Sequence, residues 1–219
     1  MLIKSVAVAG ALALMAGSAN AGVTFYSFGT GAPSEPLVTD FTGDTVNSAP
    51  TTAASGFSWL AGGSGVILDS TSGAGAEPAI AANTYGSGNY LSVEANGSET
   101  LDISAPSIDH VLIYSGSLDT YNTIAFGGPG GVTYTGTQLG LVSGAANGAQ
   151  TAANTNGVFD FFFTKPVTSI TFTSGANSYE IASISAAVPE PGVWAMMLVG
   201  FGGMGAAMRS RRKAAAAVA

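Results

Sequence analysis

The 219-residue chain contains no cysteine. That excludes thiolate nucleophiles, thiolate-bound zinc and iron–sulfur clusters, and it leaves any secreted domain to stand on its hydrophobic core without disulfides. Histidine occurs once, as His110, so a multi-histidine metal centre cannot form and a serine nucleophile would have one candidate base. No Gly-x-Ser-x-Gly elbow is present. Positive charge is nearly absent from the middle of the chain. Between residues 22 and 188, Lys165 stands alone against twelve acidic residues, a net charge of −11 compared with −7 for the whole chain. Nucleic acids are bound by neutralising phosphates with cations, so nucleic acid is excluded as a partner. Neutral sugars and divalent cations suit such a surface better.

Long hydrophobic runs are confined to the two ends. At the front, Lys4 precedes an apolar run from Val6 to Ala16, followed by small residues with Ala19 and Ala21 in an Ala-x-Ala arrangement. This pattern predicts a signal peptide over 1–21, cut after Ala21 by signal peptidase. The run is short for a membrane span, which weighs against an uncleaved N-terminal anchor. At the back, Pro189-Glu190-Pro191 leads into an uncharged stretch from Gly192 to Met208 and then Arg209, Arg211, Arg212 and Lys213. As a helix this stretch would reach about 25 Å, slightly short of the hydrocarbon core. Arginine stems snorkelling at one end and Trp194 at the opposite interface make up the difference. The basic cluster predicts a cytoplasmic C-terminus and an exported body. The signal at the front implies the same orientation.

Pro189-Glu190-Pro191, Trp194-Ala195, Gly200-Phe201-Gly202-Gly203 and the arginines together resemble the PEP-CTERM sorting domain, in the subtype with Trp-Ala after Pro-Glu-Pro. The resemblance covers about 25 of the 219 residues; Ala214 to Ala219 extend past the usual ending. It implies recognition and removal of the tail by a membrane peptidase, an exosortase, in a Gram-negative cell. Delivery to the surface or to a polysaccharide-rich matrix would follow. Each proline disfavours helix in the residue before it, so Val188 and Glu190 are expected to be extended and accessible to a protease. A permanent single-span anchor is the alternative, and it also puts the body outside. The expected organisation is a signal peptide over 1–21, a body over 22–187, a sorting domain over 188–213 and an Ala-rich tail over 214–219.

The body alternates apolar and polar residues with the period of strands. Strands are predicted at 23–28, 65–69, 90–94, 99–103, 108–114, 121–126, 132–135, 158–163, 167–173 and 179–184, with glycine, proline or asparagine between most of them. Ile108, His110, Leu112 and Tyr114 are assigned to one face, and Asp109, Val111 and Ile113 to the other. No long helix is expected in the body. The fold class is therefore all-β, a jelly-roll-like β-sandwich, with a signal helix before it and a single transmembrane helix after it. Segments 29–56, 71–88 and 136–157 read as long surface loops, where binding would reside. Ser117 to Thr123 and Thr155 to Phe159 resemble stretches in small β-sandwich proteins that carry the same tail, mostly without assigned activity.

No catalytic residue is assigned. A lone histidine on an apolar strand face is expected to pack, the acids are scattered rather than paired, and the glycine-rich pieces lack the lysine of a phosphate loop. Calcium is the one ion left open, with Asp119 and Asn122 as weak ligand candidates and Glu94, Asn96 and Glu99 near other strand ends. The leading expectation is a non-enzymatic exported protein that passes through the inner membrane to the surface or extracellular matrix and associates with exopolysaccharide or biofilm. A lectin-like carbohydrate-binding module is the alternative, and an exposed aromatic platform near Trp59, Tyr85 or Tyr90 would favour it. A secreted hydrolase ranks last.

Overall fold

Among the described residues of the body, alternating β-branched and aromatic residues, broken by glycine and asparagine, give twelve strands and one short helix. They are β1 (Val23–Gly29), β2 (Leu37–Thr39), β3 (Phe57–Trp59), β4 (Gly65–Leu68), β5 (Tyr90–Val93), β6 (Gly97–Ile103), β7 (His110–Gly116), β8 (Asn122–Gly127), β9 (Val132–Thr135), α1 (Gly136–Ser143), β10 (Gly157–Phe163), β11 (Ser169–Ser174) and β12 (Tyr179–Ala187). The computed structural model describes residues 23–31, 35–79, 88–104, 108–129, 131–187, 197–202 and 204. The signal segment with Ala19 and Ala21, and tail residues Pro189, Glu190, Pro191, Trp194, Arg209, Arg211 and Arg212, lie outside the described residues. So does Tyr85. By internal contacts the chain divides into residues 1–188 and 189–219.

All pairings in the first unit are antiparallel. One sheet runs β1-β10-β7-β12-β5-β4, with β2 also paired to β12; the other runs β3-β6-β11-β8-β9. The last eight strands pair in a nested series, β5 with β12, β6 with β11, β7 with β10 and β8 with β9. Both sheets turn one face onto a single apolar cluster. Val111, Ile113, Phe159, Phe161, Ile181 and Ile184 enter it from the first sheet; Leu101, Ile124, Phe126, Ile170 and Phe172 enter from the second. The opposite face of the second sheet carries the intervening hydroxyls. Thr100, Thr171, Thr173, Thr123, Thr133 and Thr135 stand half-exposed or exposed there, and the Thr100 and Thr171 hydroxyls meet at 2.9 Å.

The first sheet is covered on both faces, which the strand period alone did not indicate. Leu112 and Tyr114 form a second buried cluster with Val158 and Ala182 on its outer face. The β4–β5 segment lies across that face. Ser92 Oγ donates to Ala74 O at 2.6 Å, and the Tyr114 hydroxyl donates to Ala79 O. Gly116 is required beneath it, since a Cβ there would stand 2.7 Å from the Pro78 ring. Ile108 departs from the predicted face. It is buried in the main core with Val111 and Ile113 rather than beside His110, because the strand begins only at His110 and the residues before it do not keep the strand period.

Three elements differ from the sequence reading. β2 and β3 have three residues each, too few to register a period. α1 lies in a segment read as loop. Its start is a capping box in which Thr135 accepts from Gln138 N while the Gln138 side chain accepts from Thr135 N, and Gly144 closes it in the left-handed region. In the second unit, residues 197–202 and 204 are helical, and Met197, Leu198, Val199, Phe201 and Met204 are each 46–69% exposed. Among the described residues no helix is long and apolar enough to cross a membrane.

Candidate functional site

Four loops converge at one end of the first sheet around a cavity of about 310 Å³. Ser72 comes from β4–β5, Asp119 and Tyr121 from β7–β8, Asn147 and Gln150 from the segment after α1, and Glu180 from the start of β12. Glu180 follows Tyr179, whose ring fills the core, so its own side chain points to the outer face. There the β4–β5 segment covers it and leaves it 2% exposed. Its carboxylate accepts from Ala76 N at 3.1 Å and from the hydroxyls of Ser117 and Ser178. Burial raises its pKa above the ordinary glutamate value, and these hydrogen bonds oppose the rise. The floor of the cavity is thus a buried acid with both oxygens engaged.

The rim is built differently. Asp119 Oδ2 accepts from the Tyr121 hydroxyl at 2.6 Å, while Oδ1 accepts no hydrogen bond among the described residues. Burial, then the bond to Asp119, drives the Tyr121 pKa upward, so the phenol stays a donor at any physiological pH. Gly148 carries the chain past this carboxylate with φ +67°, and a Cβ on it would stand 2.5 Å from Asp119 Oδ2. Asn147 Oδ1 accepts from Ala149 N at 3.3 Å, and Ser72 Oγ accepts from Ala74 N at 3.2 Å. Among the described residues no lysine, arginine or histidine lines the cavity.

The two calcium candidates play different parts. Asp119 is on the rim. Asn122 is fully buried and committed to the fold: Oδ1 accepts from Asp119 N at 2.6 Å, and Nδ2 donates to Ser174 Oγ at 3.2 Å and Ser178 O at 3.4 Å. It therefore holds Asp119 in place through the backbone and does not face the cavity as a second carboxylate-like ligand. Glu99 is also buried, accepting from Gly65 N and Thr100 N, and Asn96 occupies a left-handed turn position. Among the described residues no group of three or more His, Asp or Glu side chains could hold a metal ion.

Tyr90 and Trp59 are both committed to contacts within the body, and Tyr85 lies outside the described residues. Tyr90 is fully buried with its hydroxyl on Ser70 O at 3.0 Å, because β5 lies inside the sheet between β4 and β12. Trp59 packs against Phe41 at 5.9 Å and donates to Thr52 O at 3.2 Å. Tyr121 is instead the aromatic residue that reaches a cavity. Sequence placed it only at the start of a strand.

At the far end of β7 lies a second polar group. His110 stacks on Phe162, with ring centroids 4.1 Å apart, and its two nitrogens meet Glu35 Oε1 at 3.0 Å and Asp160 Oδ1 at 2.6 Å. Both nitrogens are thus engaged by carboxylates. His110 pairs across the sheet with Ala187, the last residue of β12. A family model described as the PEP-CTERM protein-sorting motif matches from this residue onward, over residues 187–213. The chain ends in a PEP-CTERM sorting tail. No curated protein matches the chain. The PEP-CTERM motif implies recognition by an exosortase and, with it, an exported protein that passes through the membrane on its way to the surface. The motif thus begins at the last residue of β12.

Proposed function

We propose that the chain is a non-enzymatic component of the cell surface or extracellular matrix of a Gram-negative bacterium, delivered through its PEP-CTERM tail and associated with exopolysaccharide. The observation that carries this reading is the sorting motif over residues 187–213, continuous with the last strand of the body. The uncharged stretch before Arg209, Arg211 and Arg212, and the exposed apolar side chains of the helical residues 197–202, support a transient membrane span. The nested strand pairing supports a jelly-roll sandwich for the body.

Two features support the absence of catalysis. The single imidazole is occupied on both sides by carboxylates, and the buried Glu180 spends both oxygens on fixed donors. The lectin-like alternative gains support from the loop-end cavity, which offers a concave polar surface built from loops. The test is co-sedimentation of the surface-recovered protein with exopolysaccharide from the same cells, alongside ester and glycan hydrolysis assays. Retention without turnover is expected. Hydrolysis that disappears on Glu180→Gln or His110→Ala, with the fold intact, would overturn the non-enzymatic reading.

A further inference from the structure

We infer that the loop-end cavity binds one neutral pyranose ring, the terminal residue of an uncharged polysaccharide. The inference rests on the polysaccharide association proposed above and names where and how it occurs. The size sets the first limit. At about 310 Å³ the cavity is at the small end of ligand pockets, enough for a single ring and not for a length of chain. The lining sets the second. Apart from Tyr121 it is made of Ser, Gly, Ala, Asn, Gln, Asp and Glu, so an apolar or lipid ligand would find no surface to bury against. Charge sets the third. The only ionisable groups besides the Tyr121 phenol are Asp119 and Glu180, in a body of net −11, so uronates, sulfated sugars and phosphates are repelled.

What remains is a ligand that both donates and accepts hydrogen bonds without carrying negative charge. The rim meets that need with groups that keep open capacity. Asp119 Oδ1 is a fixed acceptor, aimed by the Tyr121 hydroxyl on its other oxygen and by Asn122 through the backbone. The Asn147 and Gln150 amide nitrogens and the Ser72 hydroxyl proton make no hydrogen bond among the described residues. A carboxylate oxygen beside carboxamide donors matches adjacent sugar hydroxyls, one donating and one accepting. Glu180 plays a positioning part. It ties Ser117, Ser178 and Ala76, one from each of three loops, into a rigid floor. Preorganised acceptors of this kind lower the ordering cost of binding a small ligand. One shallow subsite gives weak affinity, on the order of millimolar, and many copies at a surface convert it into firm attachment.

The test uses the exported protein recovered from the surface, with the methyl glycosides of glucose, galactose, mannose and N-acetylglucosamine and with glucuronate as probes. Binding is followed by saturation-transfer NMR and titration in EDTA. At least one neutral glycoside is expected to bind and glucuronate is not. Asp119→Asn should weaken binding about tenfold, the value of one charge-assisted hydrogen bond. Gln150→Ala, at an exposed side chain that supports nothing, should weaken it about threefold with an unchanged melting temperature. Both variants should lose retention on exopolysaccharide in parallel. Retention that survives both substitutions overturns the cavity assignment and leaves the matrix reading standing. No retention of the unaltered protein overturns that reading itself. Preference for glucuronate, or binding that requires added calcium, also overturns the assignment, because the carboxylate would then not meet the sugar directly.

Discussion

Replacing Phe161 by alanine should cost far more stability than replacing its neighbour Phe162. Phe161 is fully buried on β10, and its ring reaches across to the other sheet, 4.8 Å from Phe126 on β8 and 5.7 Å from Tyr134 on β9. On its own side it meets Tyr26 at 6.0 Å and Phe159 at 6.2 Å. Truncation removes the transfer term and leaves a void between two sheets that cannot close without shifting register, so the loss is about 3–5 kcal/mol. Phe162 points outward, 37% exposed, and its ring stacks on His110. Losing that stack costs about 0.5–1.5 kcal/mol. For a body of this size each kcal/mol lowers the melting temperature by about 2–4 °C, which predicts a fall of roughly 6–20 °C for Phe161→Ala and a few degrees at most for Phe162→Ala. Urea and thermal unfolding of the surface-recovered protein would read both, with Trp59 as the body's tryptophan probe. Equal losses, or a larger loss at Phe162, would refute the inward register of β10 and with it the shared core.

Other expectations follow from individual groups. Asp44 Oδ1 accepts from Thr51 N and Oγ1 at 2.7 Å and from Thr52 N at 2.8 Å, pinning the β2–β3 loop. Asp44→Ala should therefore cost about 2–4 kcal/mol in urea unfolding, and an unchanged midpoint would contradict that role. Burial raises the pKa of Glu180 and Glu99 above their ordinary value of 4.5. The fold therefore favours their protonated forms, a contribution fully present below about pH 4.5 and lost as pH rises through the raised values. Relative to Glu180→Gln, the native protein should lose melting temperature between pH 4.5 and 7.5; a pH-independent difference would remove the argument. Changing Arg209, Arg211 and Arg212 together to glutamine should reduce tail processing and surface delivery, read by fractionation and immunoblot. Normal delivery would make those charges incidental.

The strands that carry the core were legible because their alternation is local. Phe159, Phe161 and Phe163 announce one face of β10 without knowledge of any partner. What stayed hidden depends on contacts remote in sequence. Tyr179-Glu180-Ile181 reads as a strand with a solvated acid in the middle, and only the β4–β5 segment, a hundred residues earlier, buries that acid at 2% exposure. The burial of Tyr90, which the sequence places only at the start of a strand, is hidden for the same reason, since nothing near it reveals that β5 is an interior strand. α1 was missed because its two glycines and lack of a continuous apolar stripe conceal it; the Thr135–Gln138 capping box was its one local mark. Asp119 was singled out as an oxygen ligand and does reach the cavity, whereas Asn122 turns inward, a distinction set by the Ser174 and Ser178 contacts across the sheet.

The sorting tail is the central claim, and intact mass of the chain in cells with and without an exosortase tests it most directly. With the enzyme present, surface-recovered protein should end near Pro189-Glu190-Pro191 and lack residues 192–213. Without it, the chain should keep its tail and remain with the inner membrane. An unprocessed tail on surface protein from normal cells, or identical masses and locations in both strains, would contradict the account.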